Sequence, residues 1–315
     1  MHGRHMEAEI VAQAEILATR ADDYERNLRR ILDGRRFGMV LLAARGSSDN
    51  AALYLRYLIE IHLQIPVSLA APSVLTRFGS HVRYPNCLAI GISQSGAAPD
   101  VSEVLSEMRS QGHATLAITN TPDSRVTEAA EFSLDLGAGK EIAVAATKTY
   151  TCSLLAGYQL VRALGGLLPD PKPCLPDARW IERCQIAAEA GLGPIIRFPT
   201  LFALARGYSF ASAQETALKL MECALLPCKS YSTADFEHGP KALAQFGTAA
   251  IVYGAVPASL SKSDCALVQP EPAPEGPLAP LWEIVFGQYL ALMAARARGL
   301  DPDSPQNLSK VTQTL

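Results

Sequence analysis

Nowhere in its 315 residues does the chain hold the ~18 uncharged apolar residues in a row that a membrane helix needs. An excess of charge of one sign is missing too: 28 Lys and Arg face 31 Asp and Glu, for a net charge of -3. Without a basic surplus there is no electrostatic footprint for nucleic acid or an anionic membrane. An anionic substrate must therefore be attracted locally. The seven cysteines (Cys87, Cys152, Cys174, Cys184, Cys223, Cys228 and Cys265) are odd in number and contain no C-x-x-C pair. That is the usage of reduced, mostly buried thiols in a cytoplasmic protein, with a catalytic cysteine as the minor alternative. The six histidines show no metal-ligand spacing, and no G-K-[ST] phosphate loop is present. Ser93 misses the G-x-S-x-G elbow because Ser95 stands where its last glycine belongs. Gly137-Ala138-Gly139 lacks the third glycine of a dinucleotide fingerprint.

What is present is a repeated α/β pattern, long enough for two units at ~100–200 residues per domain. Met1 to Glu7 has no apolar signal core and reads as a vector-derived leader. Helical spacing of apolar residues follows, from Ile10 to Leu32, and stops at Gly34. Short apolar runs then alternate with amphipathic stretches. Strands are expected at Met39–Ala43, Val67–Leu69, Cys87–Ile92, Thr115–Ile118 and Phe132–Leu134. Strands without polar alternation, separated by helices, imply a parallel sheet covered on both faces.

A Pro-rich break at Pro169–Pro173 ends this unit, and the pattern restarts at Thr200–Ala205. Ala44-Arg45-Gly46-Ser47-Ser48 and Ala205-Arg206-Gly207-Tyr208-Ser209 share Ala-Arg-Gly-x-Ser at a strand-to-helix turn, which suggests two related halves. The second half is abbreviated. Between the strands Ala249–Tyr253 and Cys265–Val268 a crossover of ~10–12 residues barely fits. A last helix, Leu281–Ala297, precedes a polar tail. The expected divisions are a leader and helix (1–35), a first subdomain (36–168), a linker and helix (169–198), a shortened second subdomain (199–300) and a tail (301–315).

Open parallel sheets bind ligands beyond the carboxyl ends of their strands. Two turns there carry more hydroxyls than turning requires, Arg45-Gly46-Ser47-Ser48 and Ser93-Gln94-Ser95-Gly96. Small hydroxyl residues and free N–H groups at a helix start form an anion site. The competing reading makes these serines helix N-caps; phosphate binding is favoured at both turns, more strongly at 93–96. Lys219 and Glu222 lie three apart on a helix and share a face, either as a surface ion pair or as acid/base groups. His238, before Gly239-Pro240, is a structural hydrogen bonder or an acid/base. Lys310 in the tail is an ordinary solvated lysine unless its context says otherwise.

Six segments in this order resemble the sugar isomerase (SIS) domain family over nearly the whole chain. They are Gly46-Ser47-Ser48, Ser93-Gln94-Ser95-Gly96, Glu141 to Lys148, Ala217 to Glu222, Glu237-His238-Gly239-Pro240 and Asn307-Leu308-Ser309-Lys310. The likeness is greatest to the isomerase half of glucosamine-6-phosphate synthase and to stand-alone relatives that include the second type of glucosamine-6-phosphate deaminase. The resemblance implies two tandem flavodoxin-like α-β-α subdomains with parallel sheets, the second shortened. It implies that Ser47, Ser48, Ser93, Gln94 and Ser95 hold a phosphate, and that Glu141, Val144 and Ser309 line the sugar. Glu222 would move a proton between C1 and C2, Lys219 and His238 would assist ring opening, and Lys310 would close over the sugar to engage its carbonyl. His238 would reach the neighbouring subunit's site in a homodimer, and no metal or organic cofactor is implied.

Ala98 and Ala146 stand where the synthase-like pattern has Thr and Ser, so one phosphate contact and one sugar-hydroxyl contact are expected to be absent. No glutaminase part is recognisable, so glutamine-dependent synthesis is not expected from this chain alone. The expected activity converts glucosamine 6-phosphate to fructose 6-phosphate and ammonia. The alternatives are a glutaminase-less aminotransferase-like reaction, cleavage of a fructosamine 6-phosphate, a plain aldose–ketose isomerisation, or a sugar-phosphate sensor without turnover.

Overall fold

The computed structural model describes residues 2–310, and the chain divides into two compact units. The first comprises Ile16–Lys140 and Lys148–Pro173, together with Lys310. Five strands form its sheet: β1 (Met39–Ala43), β2 (Val67–Leu69), β3 (Cys87–Ser93), β4 (Ala114–Thr119) and β5 (Phe132–Asp135). They run parallel in the order β2-β1-β3-β4-β5. Every residue of β3 is buried, as the absence of polar alternation requires of a strand covered on both faces. Leu41, Ala43, Cys87, Ala89 and Ala117 pack on one face against Val101, Val104, Leu105 and Met108 of the helix Pro99–Ser110. Alternation at period two turns Val40, Leu42, Leu88 and Ile90 to the other face. There the helices Ser47–His62 and Lys148–Ala163 pack together, with Gly157 against Leu55.

The second unit comprises residues 2–15, Glu141–Thr147 and Cys174–Ser309. Its strands are β6 (Thr200–Ala205), β7 (Cys228–Ser232), β8 (Thr248–Val252) and β9 (Ala266–Val268), parallel in the order β7-β6-β8-β9. This is the first sheet's order without its fifth strand. The expected abbreviation is real: only the four-residue helix Ala258–Ser261 lies between β8 and β9. One face of the sheet is therefore closed by short pieces, with Phe202, Leu204, Ala250 and Val252 packed on Phe236, Leu260 and Cys265. The other face carries the long helices Ala178–Arg197, Phe210–Ala224 and Ala279–Ala297. The edge strand β7 was not expected, because Cys-Lys-Ser-Tyr-Ser has no apolar run; only Cys228 in it is buried.

The opening residues are folded. The helix Arg4–Val11 buries Met6 and Ile10 completely. The backbone N–H groups of His5 and Met6 donate to the Asp303 carboxylate at 2.9 and 2.8 Å, and that of Gly3 to Asp301 at 2.9 Å. Glu7 pairs with Arg296 at 2.8 Å. These contacts tie residues 3–7 to the segment that follows the last helix.

The last helix packs closely on the helix Phe210–Ala224 at Gly287. A Cβ there would lie 2.1 Å from Thr216 Oγ1 and 2.9 Å from the Tyr253 hydroxyl. Those two groups share a buried hydrogen bond of 2.6 Å. Gly→Ala inside a helix ordinarily stabilises by about 1 kcal/mol. Here the overpacked contact reverses the sign, and Gly287→Ala is expected to lower stability by roughly 1–3 kcal/mol in urea unfolding.

Candidate active site

A helix leaving β1 and a helix leaving β3 cover opposite faces of the first sheet, which makes the gap between the two strands its topological switch point. Ala43 pairs with Gly91, so the turns that follow β1 and β3 emerge side by side. These are the two hydroxyl-rich turns. The N-cap of the helix Ser47–His62 is Gly46, at φ 58°, with no side chain capping it. That left-handed backbone suits glycine, and it puts Ser47 and Ser48 inside the first turn rather than at the cap. The helix Pro99–Ser110 is likewise headed by Ala98 without a side-chain cap. N-capping therefore does not account for the serines of either turn.

The second turn is held open from behind. Gly96, at φ 64°, has no room for a Cβ, which would lie 2.1 Å from Ser124 Oγ. Its N–H donates to the Ser93 carbonyl at 3.2 Å, and its own carbonyl accepts from Val126 N–H at 3.0 Å. Ser95 Oγ accepts from Ala97 N–H at 3.3 Å. Ser93 is buried, while Gln94, Ser95, Ser47 and Ser48 are half-buried. Arg45 reaches across from the first turn to Asp100 in the second helix, with contacts of 2.6 and 3.1 Å. Asp100 is buried and Arg45 is exposed. This bridge, absent from the sequence reading, fixes the spacing of the two turns and leaves a guanidinium beside them.

The related turn of the second unit is built differently. Ser209 and Ser212 donate to the two oxygens of Glu283, each at 2.7 Å. Burial raises the pKa of Glu283, opposed by those two hydroxyls. In this copy the protein's own carboxyl group occupies the hydroxyls.

The second unit carries the titratable constellation. Along the helix Phe210–Ala224, Glu215, Lys219 and Glu222 fall on one face. Lys219 is not on the surface: its side chain is 1% exposed. Its ammonium contacts Glu222 and lies 3.4 Å from Glu215, which is completely buried. Burial works against the charged lysine, but Glu215 and then Glu222 more than offset it, and the net shift is upward. Lys219 is therefore an ammonium throughout the neutral range. Glu222 is the member of the trio that solvent reaches, at 26% exposure. Beside it, burial pushes the Cys223 thiol up to about 12. The same cause raises Cys184 and Cys228 to about 12 and Cys87 to about 11. Those thiols are poor nucleophiles, and all seven cysteines are free, six of them buried.

Glu141 is buried and accepts from Thr147 N–H at 3.0 Å, closing the 141–147 loop on itself. Ile142 N–H donates to Glu9. Val144 is half-buried, and its N–H donates to the Asp303 carbonyl at 3.3 Å, at the root of the tail. His238 is exposed at the end of the short helix Thr233–Glu237. Ser309 is exposed and Lys310 half-buried at the limit of the described residues. Within the second unit the fold thus groups Lys219 with Glu222, and joins Val144 to the base of the tail. Glu215 was missed, although its spacing of four from Lys219 was readable. No cluster of three or more metal-ligating side chains occurs among the described residues. No helix among them is long and apolar enough to cross a membrane.

Residues 38–163 match the SIS domain. The glutamine–fructose-6-phosphate aminotransferase of Methanothermobacter thermautotrophicus is 31% identical over 304 residues, 86% of this chain and 51% of that protein. The chain spans about half the length of the curated relatives it matches. In fold it is similar to glucosamine-6-phosphate deaminase from Thermotoga maritima, with a TM-score of 0.84, 22% identity, and 98% of this chain and 100% of that one covered. The C-terminal domain of glucosamine-fructose-6-phosphate aminotransferase from Francisella tularensis aligns with a TM-score of 0.74 at 22% identity, covering 96% of this chain and 98% of that one. The chain carries a SIS domain in a flavodoxin-like, parallel-sheet α/β fold, and is homologous to about half of the glutamine–fructose-6-phosphate aminotransferases.

Proposed function

We propose that the protein is a phosphosugar isomerase and deaminase that converts glucosamine 6-phosphate and water to fructose 6-phosphate and ammonia. The observation that carries this reading is the pair of uncapped, hydroxyl-rich turns at the switch point of the first sheet, joined by Arg45 and Asp100. Free N–H groups at helix starts, small hydroxyls and a neighbouring guanidinium are the donors a phosphate dianion recruits. Ser47, Ser48, Ser93, Gln94 and Ser95 are assigned to it. Glu141, Val144 and Ser309 are assigned to the sugar.

The chemistry then needs a carboxylate for the proton next to the carbonyl carbon and a group that polarises the carbonyl. Glu222 takes the C2 proton of the open-chain aldehyde and returns it at C1. As the C1 oxygen takes up a proton and the amino nitrogen gives one up, the product is a C1 hydroxyl and a C2 imine, which water hydrolyses to the ketone and ammonia. His238 assists ring opening, and Lys310 engages the carbonyl oxygen. Lys219, locked as an ammonium, serves as a fixed positive charge beside Glu222 and not as a proton acceptor. The names of the homologous aminotransferases and of the structurally similar deaminase agree with a hexosamine phosphate as substrate. We assign the protein to the cytoplasm as a homodimer, with His238 completing the partner's site.

A reaction on a differently substituted fructosamine 6-phosphate is favoured by one feature. Ala98 heads the helix Pro99–Ser110 without a hydroxyl, so that helix start makes fewer demands on the ligand. An ammonia-release assay over the 6-phosphates of glucosamine, galactosamine and fructosamines distinguishes the two, with glucosamine 6-phosphate expected to give the highest kcat/KM. Glu222→Gln is expected to lower turnover by about 10²–10⁴-fold, the usual range for a general base, while binding persists. Tight binding of these ligands with neither ammonia nor isomerised sugar formed would make the protein a sensor. Wild-type turnover in Glu222→Gln would remove Glu222 from the mechanism.

A further inference from the structure

The net charge of -3 conceals one local excess of the opposite sign. Four arginines fall within the single stretch Arg29-Arg30-Ile31-Leu32-Asp33-Gly34-Arg35-Arg36. The helix Gln13–Leu32 ends inside it, and the chain turns at Gly34. The arginine pairs before and after the turn line one open cavity of about 1050 Å³ in the first unit. Asp33 is the one acid among the described residues that line it.

The cavity lies at the end of the sheet opposite the serine turns. Phe37 and Ile65 line it, each two residues before a strand, β1 at Met39 and β2 at Val67. At about 3.3 Å per residue, the length of β1 places it roughly 17 Å from the turn that β1 runs into.

Two ordinary roles do not account for these arginines. Surface ion pairing explains Arg29, 2.9 Å from Glu25, and Arg35, 3.1 Å from Glu131. Arg30 and Arg36 are exposed and pair with no carboxylate among the described residues; Arg30 has only the Asn27 amide oxygen, at 3.5 Å. Capping of helix carbonyls is the other role, since the helices Ser47–His62 and Lys148–Ala163 also end at the cavity. Backbone does that instead: Leu32 carbonyl accepts from Arg35 N–H at 3.1 Å, and Ile59 and Val161 carbonyls from Leu63 and Gly166 N–H at 2.9 Å. Burial lowers the pKa of His62 on the same wall, so near neutral pH the positive charge is that of the arginines.

Opposite charge alone would suit any anion, but the cavity is also partly apolar, with Phe37, Leu63, Ile65 and Leu164 in its lining. Its volume is that of a site for a whole small molecule and not for one phosphate ion. Guanidinium groups match the paired oxygens of phosphates, and an aromatic and aliphatic wall suits the face of a base. From this arrangement we propose that the cavity binds a nucleoside di- or triphosphate, with its phosphates on Arg30 and Arg36 and its base against the apolar wall. A nucleic acid would need basic surface continuing beyond the cavity, which the net charge of -3 does not supply.

Calorimetric titration of the full chain with ADP, AMP, inorganic pyrophosphate and a short single-stranded RNA tests the proposal. Wild type is compared with Arg30→Gln/Arg36→Gln and with Ser47→Ala/Ser95→Ala. Wild type is expected to bind ADP about tenfold more tightly than AMP, which lacks a phosphate, or pyrophosphate, which lacks the base. The arginine double variant should bind ADP about tenfold or more weakly with an unchanged urea midpoint, because both side chains are exposed. If that variant does not fold, Arg36→Gln alone decides, with the same direction expected. The serine variant should bind ADP as wild type does, and glucosamine 6-phosphate should not displace it. Wild-type affinity for ADP in a folded arginine variant would overturn the proposal, as would no binding of ADP to wild type. Displacement of ADP by glucosamine 6-phosphate, pyrophosphate binding as tightly as ADP, or RNA binding more tightly than ADP would overturn it as well.

Discussion

Two neighbouring parallel strands whose helices leave on opposite faces cannot close the gap between their carboxyl ends. β1 and β3 are such a pair, held in register with Ala43 opposite Gly91. The phosphate site proposed here follows from that gap. It brings two helix starts together, and the sequence lines both with serine. Neither helix is capped by a side chain, so the serine hydroxyls are not spent as N-caps. Arg45 and Asp100 set the distance between the turns.

The second unit repeats the strand order but not the chemistry. Its corresponding hydroxyls are satisfied by Glu283. An internal carboxyl group there does for stability what a phosphate is proposed to do in the first unit. The helix that starts at this filled turn is the one bearing Glu215, Lys219 and Glu222. It is fixed at its start by Glu283 and in its middle by Thr216, Tyr253 and the close approach of Gly287. A carboxylate proposed to move protons has to be held still, and this packing holds its helix. One strand order thus accommodates both a proposed anion turn and a rigid mount.

Much of this architecture was legible because buried parallel strands have unambiguous signatures. Cys87–Ser93 and Thr200–Ala205 are apolar without alternation, and each runs into a glycine-containing turn. β7 was not legible, since an edge strand needs no apolar run and Cys228–Ser232 offers only one buried residue. The membership of Glu141–Thr147 in the second unit was equally hidden. It depends on bonds from Ile142 to Glu9 and from Val144 to Asp303, contacts between residues far apart in sequence. Lys219 and Glu222 were found by spacing, but spacing cannot tell a buried ammonium from a surface pair. The difference lies in burial, and the buried Glu215 beside Lys219 is part of it.

The central claim is that the serine turns at the first switch point hold a phosphate. It is tested most directly by calorimetric titration of glucosamine 6-phosphate and of glucosamine into wild type and a Ser47→Ala/Ser95→Ala double variant. The account predicts that wild type strongly prefers the phosphorylated sugar. It also predicts that losing two hydroxyl contacts to the anion, at about 1.5 kcal/mol each, weakens binding of glucosamine 6-phosphate about a hundredfold. Binding of glucosamine should hardly change. A double variant that binds glucosamine 6-phosphate as tightly as wild type would contradict the account.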